Sequence, residues 1–141
     1  MKGILFLCVA NSARSQMAEG IARTLVPPGV RIASAGSNPT SLRPEAVAVL
    51  AEIGIDISVH VSKSVAEIPW NAIDTVVTLC AEEICPRVPD DVRHLHWNLA
   101  DPSAVTGSEQ DRLAAFRRTR DELQQRIKVF LAAEQTAGRL S

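Results

Sequence analysis

The chain has 141 residues, 46% hydrophobic and 22% charged, with a formal net charge of −1. That length suits one domain with a real core, and the near-neutral balance excludes the broad basic surface of a nucleic-acid-binding protein. No apolar run approaches the ~20 residues that span a bilayer, and with Met1-Lys2-Gly3 passing straight into the first apolar stretch no signal peptide is expected. The expectation is a cytoplasmic monomer, one domain over residues 1–141, without nucleic-acid or membrane partners. There its three cysteines stay reduced unless a disulfide forms transiently in catalysis.

In chain order, Ile4 to Leu7 reads as a fully buried strand, and Met17, Ile21 and Leu25 recur at helical spacing just after it. Pro27-Pro28-Gly29 breaks the pattern before a short strand from Val30 to Ala35. Residues 34–39 form a loop by composition. Pro44 at the entry and Gly54 at the exit bracket a helix from Glu45 to Ile53, with Val47, Leu50 and Ile53 as its buried face. Ile55 to Lys63 reads as a loop with at most a short strand, and Val65 to Ile68 as a helical turn. Ile73 to Leu79 and Val92 to Trp97 are strands. A long amphipathic helix runs from about Glu109 to Glu134 on the stripe Leu113, Phe116, Leu123, Ile127 and Phe130. Arg120 snorkels to the edge of that stripe, and residues 135–141 are expected to fray. Alternating strands and helices imply βαβ units: an α/β three-layer sandwich around a four-stranded, mainly parallel sheet. Ligands of such sheets sit beyond the carboxyl ends of the strands, where Cys8, Cys80 and Asp101 should gather.

Between the first strand and helix lies Cys8-Val9-Ala10-Asn11-Ser12-Ala13-Arg14-Ser15. A loop wrapped at a helix N-terminus aims N–H groups and the positive end of the helix dipole at one point, which suits a tetrahedral oxyanion. Arg14 adds a planar fork for two of its oxygens. The same field favours the reactive thiolate of Cys8. Small residues at 10, 12 and 13 let the backbone approach a ligand. Ser15 either caps the helix or donates to the Cys8 sulfur. The alternative, a buried cysteine beside a surface arginine, leaves the strand-loop-helix context unexplained.

Cys80 and Cys85 form a C-x4-C pair without the companion ligands of a zinc site. They are either two small buried residues or a redox pair. Five residues of α-helix rise ~7.5 Å, whereas a disulfide needs Cα atoms within roughly 4.4–6.8 Å. A bonded pair therefore requires an irregular or unwinding segment, and a mobile redox segment is expected there. Asp101-Pro102 is either a turn or an aimed carboxyl, since proline holds the preceding residue extended.

Cys8 to Gly20 resembles the phosphate loop of the low-molecular-weight tyrosine phosphatase fold, and in detail its thioredoxin-coupled arsenate reductases. The phosphatases place proline after the Arg-Ser pair, where this chain has Gln16. The resemblance continues through Ser34-Ala35-Gly36, Gly54 to Ser58, Val77 to Cys80, Cys85-Pro86, His96-Trp97 and Asp101-Pro102. It implies arsenate as substrate, with phosphate or sulfate as mimics, bound by residues 9–15. Cys8 is then the nucleophile, Arg14 and Ser15 its supports, and Asp101 the general acid. Cys80 and Cys85 pass the disulfide outward to thioredoxin, and no cofactor is required. Relatives with this relay usually have six residues between the last two cysteines; this chain has four.

Some relatives bind potassium near positions matching Asn11, Glu19 and Ser34, with an aspartate where this chain has Lys63. The lysine ammonium can replace that cation by pairing with Glu19, so no potassium site and no metal are expected. Asn11 is expected to pin the loop. His60, His94 and His96 are expected to be packing or surface residues, Trp70 and Trp97 anchors, and Glu82-Glu83 a solvated face. The competing readings are an aryl or protein tyrosine phosphatase using Cys8, Arg14 and Asp101, and a non-enzymatic anion-binding domain. The first leaves two cysteines idle in a chain without tyrosine, and the second leaves Asp-Pro unexplained as well.

Overall fold

The computed structural model describes residues 1–81 and 87–140. Its strands are β1 (Gly3–Cys8), β2 (Arg31–Gly36), β3 (Thr75–Thr78) and β4 (Arg93–His96), and its helices α1 (Arg14–Arg23), α2 (Pro44–Ala51) and α3 (Glu109–Thr136). They form one sheet in the order β2-β1-β3-β4, and every pairing is parallel. The chain leaves β1 toward β2 and leaves β3 toward β4. The topological switch point therefore lies beyond the carboxyl ends of β1 and β3, the usual ligand crevice of such sheets.

Every residue of β1 is buried, as its unbroken apolar run requires of a central parallel strand. Ile4 and Phe6 face a core shared with Met17 and Ile21 of α1, Val49 and Leu50 of α2, and Phe116, Leu123 and Ile127 of α3. Leu5 and Leu7 face the other way, onto Ile68, Ile73 and Val76, with Val65, Trp70, Val88 and Val92 at the margin. Three helices thus cover one face of the sheet, while turns at Val65–Glu67 and Trp70–Ala72 and the chain leading into β4 cover the other. Trp97 anchors the core between Phe6 and Phe130, at centroid distances of 6.3 and 6.0 Å.

Several boundaries shift from the sequence reading. The first helix stops at Arg23, leaving Leu25 38% exposed. Its close packing comes from Gly20, where a Cβ would lie 2.6 Å from Ile57 and 3.0 Å from Leu50. In α2 the buried stripe is Ala46, Val49 and Leu50, with Val47 and Ile53 only half-buried. A small alanine lets that face approach the core more closely than valine would. Residues 55–63 make no strand, and a single parallel bridge joins Ser64 to Gly36. Ser64 also caps the following turn through a capping box.

The C-terminal segment is fastened rather than frayed. Glu134, buried on α3, bonds both Arg93 and Arg139; Leu140 is buried; and the Met1 ammonium donates to the Arg139 carbonyl at 2.8 Å.

Arg120 does reach the edge of its stripe, donating to the Val49 carbonyl (2.9 Å) and to Glu52 (2.7 Å). Arg117 grips the same carboxylate at 2.7 Å. These hydrogen bonds, Arg117's first, pull the Glu52 pKa from 4.5 to about 2. A carboxyl whose folded pKa is depressed stabilises the fold above its unfolded pKa and loses that contribution as pH falls through its folded one. Glu52→Gln should therefore lower Tm near neutral pH, with the gap to the parent closing between about pH 4.5 and about 2. Thermal melts across that range check this.

Candidate active site

The site begins where β1 ends. Cys8 is buried, registered against Gly36 of β2, and its Sγ lies 2.8 Å from the Ser15 hydroxyl. Gly36 permits the loop beyond to fold back: a Cβ there would meet the Val9 carbonyl oxygen at 2.3 Å and the Asn11 nitrogen at 2.9 Å. Loop carbonyls are drawn outward by neighbouring chain. Asn38 N–H donates to Val9, Thr40 N–H to Ala10 and Arg43 N–H to Ser12, at 2.9, 3.0 and 2.9 Å. The Ser62 hydroxyl donates to the Asn11 carbonyl at 2.7 Å. In a trans peptide the N–H points opposite to the C=O, so the N–H groups that follow turn away from these donors. Ala13 caps α1 without a side-chain hydrogen bond, which leaves the positive end of the helix for an anion.

Asn11 makes the bend. Its φ is 49°, a left-handed value that asparagine tolerates better than most residues. Its amide donates to the Ser15 Oγ at 2.8 Å and accepts the Lys63 N–H at 2.7 Å. Ser15 therefore serves Cys8 and Asn11, and of the two expected roles the cap is not taken.

Arg14 is 4% exposed and crosses the switch point. One Nη donates to the Leu79 carbonyl at 3.2 Å and the Leu99 carbonyl at 2.9 Å, and the other lies 3.9 Å from Asp101 Oδ2. It thereby ties together the loops after β1, β3 and β4. Leu7 of β1 pairs with Thr78 of β3, so Cys80 lies two residues past the end of the strand next to Cys8's. Neighbouring strands run about 4.8 Å apart. Cys80 is buried. Cys85 and Glu82-Glu83, together with the mobile redox segment expected around them, lie outside the described residues.

Asp101 caps a short turn, Pro102–Ala104, accepting from the Ser103 N–H at 3.0 Å and its hydroxyl at 2.6 Å. Its side chain is 34% exposed beside the nearly buried Arg14. A carboxyl so placed is open to solvent and stands beside the arginine.

Beneath the loop, Glu19 is 3% exposed. It accepts from the Ser34 hydroxyl at 2.5 Å and from Arg23 at 2.9 Å, with Lys63 Nζ at 3.7 Å and His60 Nδ1 at 3.9 Å. The lysine ammonium thus stands against Glu19. Burial pushes the His60 pKa down, with Glu19 pulling the other way. Among the described residues no cluster of three or more His, Cys, Asp or Glu is placed to hold a metal ion. His94 and His96 both hydrogen-bond Thr78 Oγ1, at 2.9 and 2.7 Å. No helix among the described residues is long and apolar enough to cross a membrane.

Sequence reasoning missed the contributions of Gln16, His60 and Ser103. Gln16 left one signal: it stands where the resembling phosphatases have proline.

Comparison with known proteins sharpens this picture. Residues 3–139 match the family of low molecular weight phosphotyrosine protein phosphatases. An arsenate reductase of Halalkalibacterium halodurans is 41% identical over 131 residues, covering 92% of this chain and 94% of the relative. One from Bacillus subtilis is 43% identical over the same shares. An arsenate reductase solved in a phosphate-binding state matches with a TM-score of 0.80 and 31% identity, over 94% of this chain and 98% of that one. A thioredoxin-dependent arsenate reductase of Corynebacterium glutamicum gives a TM-score of 0.62 at 28% identity, over 92% of this chain and 63% of that one.

Proposed function

We propose that this chain, which belongs to the low molecular weight phosphotyrosine protein phosphatase family and stands within it beside the arsenate reductases, reduces arsenate to arsenite with Cys8 as nucleophile. The observation that carries this reading is the convergence of Cys8, Arg14, Asp101 and the chain leading to Cys80 at one switch point. Phosphate hydrolysis alone needs no second thiol there.

The loop N–H groups of residues 9–15 and the Arg14 fork hold the oxyanion. The Cys8 thiolate attacks arsenic; a sulfur–arsenic bond forms as an arsenic–oxygen bond breaks, and the oxygen leaves as water after taking a proton from Asp101. Cys80 then attacks the Cys8 sulfur. A disulfide forms, the sulfur–arsenic bond breaks, and its electron pair stays on arsenic, which departs as arsenite. Two thiols have supplied two electrons. Cys85 attacks Cys80 in turn, freeing the Cys8 thiolate, and thioredoxin reduces the Cys80–Cys85 bond. Each exchange depends on thiolate fraction and access. The protein acts as a monomer, and phosphate or sulfate competes with arsenate.

Asp101→Asn should slow arsenite formation on the order of 10²-fold, the usual worth of a positioned acid, while arsenate binding changes little. Rapid-quench measurement of arsenite at saturating arsenate checks it. The reading as a whole is tested by arsenite production with reduced thioredoxin, against glutaredoxin with glutathione, alongside hydrolysis of p-nitrophenyl phosphate. Turnover with thioredoxin supports it. Rapid aryl phosphate hydrolysis without any arsenite would favour the phosphatase alternative.

A further inference from the structure

Gln16 is fully buried at the start of α1, and each atom of its amide is spoken for. Its nitrogen faces the Val61 carbonyl at 2.9 Å, the Asn11 side-chain oxygen at 3.1 Å and the Asn11 carbonyl at 3.3 Å. Its oxygen meets His60 Nδ1 at 3.0 Å. A backbone carbonyl can only accept, so the Val61 contact fixes which end of the amide is nitrogen. His60 must then donate from Nδ1, whatever its charge.

The same logic orients Asn11. The Lys63 N–H can only donate, so the atom it meets is the Asn11 oxygen, and the Asn11 nitrogen donates to Ser15. Ser15 accepts from Asn11 through one lone pair, which leaves its single proton available to Cys8. A thiolate can only accept. The directed chain from His60 through Gln16, Asn11 and Ser15 therefore suits the charged sulfur.

We infer that Gln16 is a positioning residue, clamping the left-handed Asn11 against the 60–63 segment so that Ser15 presents its proton to Cys8. Proline at this position, as in the resembling phosphatases, has no amide to join Asn11 to Val61 and His60. The inference rests on the reading of Cys8 as the nucleophile and deepens it. Gln16 touches no reacting atom.

The test is the pH dependence of Cys8 alkylation by iodoacetamide, in a background where Cys80 and Cys85 are alanine. Gln16→Met keeps the side chain's bulk and removes its hydrogen bonds. It should move the reactivity midpoint up by about one pH unit, the scale of one charge-assisted hydrogen bond weakened. With all three cysteines present, kcat should fall on the order of tenfold while KM for arsenate stays within about twofold. His60→Phe, at a partly exposed position, should shift the midpoint less in the same direction. Leu131→Ala, in the α3 core away from the loop, should lower Tm and leave the midpoint in place. Midpoints unmoved in both Gln16→Met and His60→Phe would overturn the inference, as would an equal shift in Leu131→Ala. A parent Cys8 that reacts only like a free thiol would overturn the proposed nucleophile itself.

Discussion

Cys8→Ser is expected to lower arsenate reduction by at least ~10⁴-fold, the scale on which enzymes lose activity with their nucleophile. A serine hydroxyl ionises far above neutral pH, so the attacking anion disappears even though Oγ sits where Sγ did. The loss should be confined to chemistry. Arg14 is held by the Leu79 and Leu99 carbonyls rather than by the sulfur, and the loop carbonyls are held by Asn38, Thr40, Ser62 and Arg43. The anion cradle should therefore survive, and phosphate should still raise the melting temperature of the variant. Thermal shift with phosphate, together with an arsenite assay, separates the two effects. A variant that neither reduces arsenate nor responds to phosphate would place Cys8 in the loop's scaffold rather than its chemistry.

Gly36→Ala should be nearly as damaging although it touches no reacting atom. The added Cβ would stand 2.3 Å from the Val9 carbonyl oxygen and 2.9 Å from the Asn11 nitrogen. Both contacts are backbone, so no side chain can swing aside. Either β2 separates from β1 at the Cys8–Gly36 register, or the loop moves outward. Overpacking of this kind costs about 1–3 kcal/mol. A loop displaced by about 1 Å loses roughly 10²-fold in rate. Denaturant melts and kcat/KM for arsenate measure the two consequences. Parent-like values of both would show that the loop tolerates movement at the place where its geometry looks tightest.

These expectations rest on features that were unequally visible in the sequence. The β1 strand, the loop and the start of α1 were legible because one apolar run, a short stretch of small and polar residues and a helical period meet within a single strand-loop-helix unit. The parallel sheet followed from the alternation of elements. The α2 face was misplaced because alanine carries little hydrophobic signal, yet Ala46 packs against the core where Val47 only skirts it. The C-terminal segment looked polar enough to fray. What fastens it is Glu134, a charged residue buried against Arg139 of its own segment and Arg93 of the distant β4, and no local pattern announces the second pairing.

At the site, the residues taken from the loop pattern converge where the topology places a ligand. The chain from Gln16 to His60 was not legible, because it joins α1 to a segment more than forty residues away. The same holds for Ser103, whose contribution depends on the turn that Asp101 and Pro102 begin. Long-range polar contacts follow from tertiary packing, and no local period or spacing in the sequence marks them.

The central claim, that arsenic is reduced by thiols of this chain through Cys8, is tested most directly by a single turnover. Reduced protein is mixed with arsenate and no external donor, its remaining thiols are counted, and its disulfides are mapped by mass spectrometry. The account predicts one arsenite released for every two thiols lost, with the bond found between Cys80 and Cys85 and Cys8 free again. Three thiols retained and no arsenite formed would contradict it.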